Sequence, residues 1–416
     1  MNTPDDASPE YRQAILAGVY FFCLLSGYYL LRPVRDEFGV RAGVDQLQWL
    51  FTATFVAMLA AVPLYGWASR QLSRRHLITA VYLVFVFSLL LFYAGLLTAP
   101  DNIWLARGFY VWVSVYNLFV VSVFWSYMAD VFSREQGRRL FGRIAAGGSF
   151  GALLGPGLAA WGAQWVGVAA LLPIAAGLLV VATLCAWLIG RGSPDRGAPA
   201  LGGGVWEGVG QVLGSRQLQG IALFIWLYTT LATFLYFQQA HIVAGAFGNS
   251  ADRTSVFALI DLAVNSLTLV LQFFVTGRLM QAWGLHRTLA VVPATLAVGL
   301  VVLASAPVIW VLAAVQTVRR AGNYGLTRPA REVLYTGVDR SARYKAKNFI
   351  DTVVYRGGDA LAGWLFAALK SLGLGIGATA WVAVPLALAW GWLGYRLGWQ
   401  FEQTDPAGKM HRQEGA

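Results

Sequence analysis

The chain has 416 residues, of which 57% are hydrophobic and 12% are charged, and its formal net charge is +11. A soluble domain carries roughly 25% charged residues, so this composition excludes an ordinary soluble protein. Because the apolar residues come in many blocks long enough to cross lipid, we predict a polytopic helical membrane protein. The arginines lie scattered between these blocks, which indicates topology signals and excludes a nucleic-acid partner.

The apolar blocks predict an all-α membrane protein with twelve transmembrane helices. The segment before the first helix, MNTPDDASPEYRQ, lacks a basic region and a cleavage site, so we expect the first helix to remain as an anchor. The predicted helices cover residues 13–33, 47–68, 77–97, 103–129, 141–163, 167–190, 217–245, 255–277, 288–305, 308–330, 346–370 and 374–398.

The first predicted helix leads into the charged stretch SGYYLLRPVRDEFG. Arg32 lies three residues before Arg35 and four before Asp36, so the three side chains can share one helix face. One interpretation is a collar of snorkelling arginines where the helix leaves the membrane. We favour the alternative that Arg32 and Arg35 bind an anion from an outer cavity, because positive charge is disfavoured on that side and planar guanidinium groups suit phosphate or carboxylate.

The predicted loops alternate in basic content along the chain. Basic loops follow the even-numbered helices, and the loops between them are nearly bare, apart from the one that follows the first helix. By the positive-inside rule, the basic loops and both termini lie in the cytoplasm of a bacterial inner-membrane protein. The basic residues are Arg70, Arg74, Arg75, Arg134, Arg138, Arg139, Arg191, Arg196, Arg216, Arg278, Arg287, Arg340, Arg343 and Lys345.

A segment rich in Gly, Pro and Ser predicts a flexible linker between two six-helix halves. GWASRQLSRR and GRLMQAWGLHR occupy corresponding loops of the two halves, which supports an internal repeat. Repeated six-helix halves are the architecture of major facilitator transporters, where cargo binds between the halves. The predicted domains are an N-terminal half at 1–190, a cytoplasmic linker at 191–215, a C-terminal half at 216–400 and a cytoplasmic tail at 401–416.

The loop at residues 66–75 resembles the major facilitator loop signature Gly-x-x-x-Asp-Arg-x-Gly-Arg-Arg. Gly66, Arg74 and Arg75 match it, whereas Arg70 replaces the acid and Ser73 replaces the second glycine. The resemblance implies a gating loop that lacks the salt bridge of that acid.

The fifth predicted helix, GRIAAGGSFGALLGPGLAA, resembles a glycine pattern of major facilitator exchangers at Gly142, Gly151, Gly155 and Pro156. Its small residues share one face, which indicates either close helix packing or a pliable hinge suited to exchange. The candidate gating and loop residues are Gly66, Arg74, Arg75, Arg138, Arg139, Gly151, Gly155 and Pro156.

A closer resemblance concerns the two ends of the chain. SGYYLLRPVRDEFG and ARYKAKNFIDTVVYRGGDAL resemble the nucleotide transporter family, which includes the ATP/ADP translocases of plastids and obligate intracellular bacteria. Between these motifs the match is mainly one of hydropathy. The resemblance implies exchange of a nucleotide-like anion.

The eleventh predicted helix places Lys347, Asp351, Tyr355 and Asp359 four residues apart, which predicts a polar stripe on one face. Arg356 can pair with Asp359, three residues later. A charge inside lipid is costly, so these residues either face a water-filled cavity or form a structural ion-pair cluster.

The other later helices add further polar residues. Arg328 and Arg331 lie one turn apart beside Glu332, while Arg319 and Arg320 lie deeper and are expected to avoid lipid. The candidate cargo-binding residues are Tyr28, Tyr29, Arg32, Arg35, Asp36, Asp261, Asn265, Arg328, Arg331, Lys347, Asp351, Tyr355, Arg356 and Asp359.

These patterns predict a secondary active transporter that moves a small, anionic, nucleotide-like solute by alternating access and exchange. The alternatives are proton-coupled transport of another solute, with Asp261, Asp351 or Asp359 as the proton carrier, and a membrane scaffold without transport. The sequence has no nucleophile–base set, metal-ligand spacing or Walker loop, which argues against an enzyme or a primary pump. The only predicted partners are the small-molecule cargo and membrane lipids. We expect a monomer without cofactor or metal, and its two cysteines, Cys23 and Cys185, to be packing residues.

Overall fold

The structure, a computed structural model, describes residues 9–71, 74–191, 207–338 and 340–404, and every regular element in these ranges is helical. The α-helices are α1 Pro9–Arg41, α2 Leu47–Gln71, α3 Arg74–Thr98, α4 Ile103–Val131, α5 Arg134–Trp165, α6 Leu171–Arg191, α7 Glu207–Gly214, α8 Arg216–Ala246, α9 Ser250–Val270, α10 Thr276–Ser305, α11 Ile309–Gly322, α12 Arg328–Leu334, α13 Arg340–Phe349, α14 Tyr355–Ser371 and α15 Ile376–Thr404.

The predicted all-α membrane fold with twelve spans is confirmed. Over the described residues, nine helical stretches are long and apolar enough to cross a membrane. One of them, Ser250–Ser305, contains two spans, because the backbone breaks at Gly284, whose φ of 75° favours glycine. Two further spans, the tenth and eleventh, consist of shorter helices joined end to end.

Three π-helical turns interrupt the later spans. They cover Leu271–Val275 in the eighth span, Asn323–Thr327 between α11 and α12, and Ile350–Val354 between α13 and α14. The apolar pattern predicts only uninterrupted helices here, because a π turn leaves no hydropathy signal. Such turns occur frequently at functional sites.

The first helix is longer than predicted. It continues to Arg41 instead of ending near residue 33, and Pro33 lies inside it. The whole charged stretch is therefore helical. Carboxylates pair with its arginines, as described below.

The described chain separates into two compact units. The first lies within Met1–Leu201 and Phe247–Leu262, and the second within Gly202–Ala246 and Ala263–Ala416. The boundary therefore crosses α9, which lies wholly inside the predicted C-terminal half. The division into two six-helix halves at the linker stays a prediction.

In the first unit, α1 packs closely against α5. A methyl group at Gly147 or Gly151 would collide with the carbonyl oxygens of Gly18 and Phe22, and one at Gly155 would lie 2.6 Å from the carbonyl oxygen of Ser26. The glycine face of α5 thus permits backbone-to-backbone contact with α1. A role as a hinge stays a prediction.

In the second unit, the end of α15 caps the ninth span. Glu402 Oε1 accepts a hydrogen bond of 2.5 Å from the backbone NH of Leu285, directly after the break at Gly284, and Oε2 lies 2.7 Å from His286 Nδ1. A carboxylate at a helix N-terminus satisfies NH groups that have no partner within the helix.

Candidate functional site

Three arginine–carboxylate pairs surround the end of α1 in the first unit. Arg35 Nη2 lies 2.6 Å from Asp36 Oδ1, and Arg32 Nε lies 3.6 Å from Asp261 Oδ2. Arg253 Nη2 donates a 2.9 Å hydrogen bond to Glu37 Oε1. The three carboxylates are buried and the arginines are largely covered. The charges of this cluster therefore balance within the protein.

Two of these pairs join α1 to α9, at Arg253 near its start and at Asp261 near its middle. Helix α5 adds two hydrogen bonds near the start of α9: Gln164 Nε2 donates to the carboxylate oxygen Asp252 Oδ1 at 2.9 Å, and Ser255 Oγ donates to the carbonyl oxygen of Ala160 at 2.9 Å. The start of α9 is thus held by both helices. We call this set of contacts the α9 latch: Arg32–Asp261, Glu37–Arg253, Gln164–Asp252 and Ser255–Ala160.

The predicted anion site at Arg32 and Arg35 thus has carboxylates beside it, and its role in cargo binding stays a prediction. The side chain of Arg35 also lies on the ring of Tyr110, with 5.2 Å between Cζ and the ring centroid. Tyr28 and Tyr29 stack edge to face at 5.0 Å, and Tyr29 packs beside Gly155 of α5.

A second polar group lies inside the second unit, between α8 and α11. Gln316 Nε2 donates to Gln239 Oε1 at 2.6 Å and to the carbonyl oxygen of Leu235 at 3.2 Å. Gln316 Oε1 accepts a hydrogen bond of 2.7 Å from Arg319 Nη2. Both glutamines and the arginine are buried. Helix α8 therefore fixes the glutamine that holds this arginine.

Asp359 of α14 lies in the same unit. The predicted pairing with Arg356 is present at 3.5 Å, and Thr233 Oγ1 of α8 donates to Asp359 Oδ1 at 3.2 Å. The ring of Tyr355 lies 6.1 Å from that of Tyr228 on α8. The second half of the predicted stripe therefore packs against α8.

The first half of the stripe faces α12 instead. Lys347 Nζ donates to Glu332 Oε2 at 2.6 Å, and Arg331 Nη2 lies 3.4 Å from Asp351 Oδ1 and 3.7 Å from Glu332 Oε1. The π turn Ile350–Val354 separates the two halves of the stripe. The four residues therefore form two separate groups of contacts, and their functional role stays a prediction.

The remaining candidates are more dispersed. Asp261 and Asn265 are both buried, one turn apart on α9, and Arg328 is exposed. Arg139 pairs with Glu10 at 2.9 Å on the surface, and Arg138 is exposed. The side chains of Gly66, Arg74 and Arg75 lie outside the described part of the chain. In that part, no three His, Cys, Asp or Glu residues could together hold a metal ion.

The structure adds residues that were not among the candidates. The most notable are Arg319 and its partner Gln316, which are three residues apart and could have been recognised as an i,i+3 polar pair in an apolar segment. Glu37 and Arg253 carry no such local signal, because their contact joins positions 216 residues apart.

Comparison with known proteins identifies the fold. The sequence profile of the Major Facilitator Superfamily matches residues 14–330. The POT family transporter PepTSo has a similar structure, with a TM-score of 0.69 and 14% identity over 95% of this chain and 99% of that one. A variant of the nucleoside transporter NupG has a TM-score of 0.62 and 11% identity over 94% of this chain and 99% of that one. An inward-facing bacterial homologue of the human lysosomal transporter Spinster has a TM-score of 0.59 and 13% identity over 95% of this chain and 99% of that one. No curated protein matches the chain. At these identities the structural likeness shows the fold alone.

Proposed function

The chain belongs to the major facilitator superfamily, and we propose that this transporter moves a small, anionic, nucleotide-like solute by alternating access and exchange. Family membership makes it a membrane transporter and not an enzyme. The cargo, its charge and the exchange mode are our proposal.

The positive sign of the buried charges in the second unit is the observation that supports an anionic cargo. Among the described residues of the second unit, the buried charged side chains are all arginines: Arg319, Arg320 and Arg331. Arg331 lies beside Asp351, whereas Arg319 and Arg320 lie near the middle of the tenth span. A cation at the centre of a bilayer costs about 2.5–3.5 kcal/mol on insertion scales. A protein that keeps such cations gains most from an anion that binds beside them.

Alternating access in this proposal requires the α9 latch to open. The latch joins α9 to α1 and α5 at the end of these helices that the loop charges predict to be outside. Its two ion pairs stabilise one conformation, and both would have to break when the cargo site turns outward. A latch that is closed in one conformation and open in the other gives α9 two alternative arrangements, which is the physical basis of a conformational switch.

Exchange of a nucleotide-like solute is supported by the two terminal motifs and by the glycine face of α5. NupG, which has a similar fold, is named a nucleoside transporter, so nucleosides and nucleotides are the first compounds to test. We further propose a bacterial inner-membrane location, with both termini in the cytoplasm and a monomeric unit.

Proton-coupled transport is the second candidate, because one carboxylate has a suitable position. Asp359 contacts Arg356 and Thr233 inside the second unit, so protonation of Asp359 would remove the negative charge that pairs with Arg356. A proton-coupled transporter should accumulate cargo in response to a pH gradient without any internal counter-substrate.

A thermal-shift screen of the purified protein tests the anionic cargo. The panel contains AMP, ATP, inorganic phosphate, succinate and aspartate, with adenosine as the neutral counterpart of AMP. A ligand that binds only the folded state raises the melting temperature. We expect at least one anion to stabilise the protein more than adenosine does. Stabilisation by adenosine alone would contradict an anionic cargo.

A further inference from the structure

Arg319 is a buried cation that the protein itself satisfies only in part. One of its three guanidinium nitrogens, Nη2, donates to Gln316, whose own amide is fixed by α8. The other two, Nε and Nη1, are buried and have no hydrogen-bond partner among the described residues. Buried polar atoms are nearly always hydrogen-bonded, so such an exception calls for a physical explanation.

The charge of Arg319 also has no direct ion-pair partner among the described residues, although Asp359 attracts it from a longer distance. Among the described residues, no carboxylate lies within ion-pairing distance of it. Asp359 belongs to the same unit, but its two oxygens are engaged by Arg356 and Thr233. The Tyr228 ring lies near the guanidinium group, 5.9 Å from Cζ to the ring centroid, and provides no negative charge. A buried charge that lacks a contacting counter-charge destabilises the empty protein.

We propose that Arg319 binds the oxyanion of the cargo, a carboxylate or a phosphate, through one of its two unpartnered nitrogens, Nε or Nη1, which lie on different edges of the guanidinium group. This inference rests on the proposed anionic cargo and names the side chain that recognises it. A guanidinium group forms strong, charge-assisted hydrogen bonds to both kinds of oxyanion. Gln316, itself hydrogen-bonded to α8, holds Arg319 in place, so the receptor is already oriented before the cargo arrives.

The alternative is that Arg319 has only a structural role, through its bond to Gln316 and its contact with the Tyr228 ring of α8. The two roles predict opposite effects on the empty protein. If Arg319 is structural, replacing it by Met breaks its bond to Gln316 and lowers the melting temperature. If Arg319 is a receptor, Arg319→Met removes a buried charge that has no ion-pair partner, and the empty protein keeps or gains thermal stability. Binding sites commonly reduce stability in this way.

The test compares wild type, Arg319→Met and Arg319→Lys with Arg287→Gln, which removes an equal charge from an exposed position of the same unit. The probes are AMP, inorganic phosphate and succinate, with adenosine as the neutral probe. Affinity is measured by calorimetry in detergent, and melting temperature is measured without any probe. Comparing AMP and phosphate with succinate distinguishes a phosphate from a carboxylate as the recognised group.

We expect Arg319→Met to weaken oxyanion binding about ten- to a hundred-fold, which corresponds to the loss of one charge-assisted contact. Arg319→Lys should bind at an intermediate level, and Arg287→Gln should bind like wild type. Equal oxyanion affinity in wild type and Arg319→Met would overturn the assignment of Arg319 as the receptor but not the proposed anionic cargo. A melting temperature several degrees lower in Arg319→Met without any probe would have the same meaning. If no oxyanion binds wild type, the proposed anionic cargo fails and the inference fails with it.

Discussion

Removing Arg253 should destabilise the protein far more than removing its partner Glu37. The Glu37 carboxylate is fully buried, with 0% exposure, and its second oxygen has no hydrogen-bond partner among the described residues. Arg253 is 15% exposed and also donates to the carbonyl oxygens of Phe247 and Gly248, each at 3.2 Å. Arg253 therefore keeps partners when Glu37 is lost, whereas Glu37 loses the only cation that pairs with it among the described residues when Arg253 is lost.

These contacts set the expected magnitude. Breaking a buried ion pair by removing one partner costs about 3–5 kcal/mol when the other charge is left uncompensated. We expect Arg253→Met to reach this range and Glu37→Met to fall well below it. The double variant should recover most of the loss, because replacing a whole buried pair by apolar side chains is often nearly neutral.

The assay is the free energy of unfolding in detergent, measured for both single variants and the double variant as a double-mutant cycle. Arg139→Met is the matched control, because Arg139 is 63% exposed and its pair with Glu10 should contribute only about 0–1 kcal/mol. The reasoning would be refuted if the changes in unfolding free energy of Arg253→Met and Glu37→Met were additive, or if Arg253→Met and Arg139→Met lost the same unfolding free energy.

Three further predictions follow from the packing, the stripe and the topology. Gly151→Leu should prevent folding, since any side chain there meets the α1 backbone. Gly157→Leu should be tolerated, because no described residue outside the α5 backbone lies within 4 Å of a Cβ atom at that position; monodispersity after purification distinguishes the two. Asp351→Asn should leave membrane insertion intact and abolish uptake into proteoliposomes, and full uptake would assign Asp351 a structural role. Reporter fusions at Arg138 and Arg253 should report opposite sides of the membrane, and the same side for both would contradict the span order.

The membrane spans could be predicted from the sequence because the lipid bilayer requires them to be long and apolar. An apolar block of about 20 residues must satisfy its backbone internally, so the spans could be recognised from composition alone. The Arg356–Asp359 contact could also be predicted, because residues three apart meet on any helix surface. The small face of α5 similarly predicted close packing, which the contacts with Gly18 and Phe22 confirm.

Contacts between distant parts of the chain could not be predicted in this way. Arg32 was expected to share a face with Asp36, but the structure also brings Asp261 of α9 beside it. The role proposed for Arg319 depends on the hydrogen bonds of its partner Gln316, whose amide is held by Gln239 and Leu235 of α8. These contacts join distant parts of the chain. The π turn at Ile350–Val354 divides a stripe that a regular helix would keep on one face.

Counterflow in proteoliposomes is the most direct test of the central claim, that this transporter exchanges an anionic solute. Vesicles containing the purified protein are loaded with unlabelled AMP or with an equal concentration of adenosine, and uptake of labelled AMP is followed without any ion gradient. We predict that internal AMP accelerates uptake strongly and that internal adenosine does not. Uptake that is independent of the internal solute and appears only with an imposed pH gradient would contradict exchange and favour proton coupling.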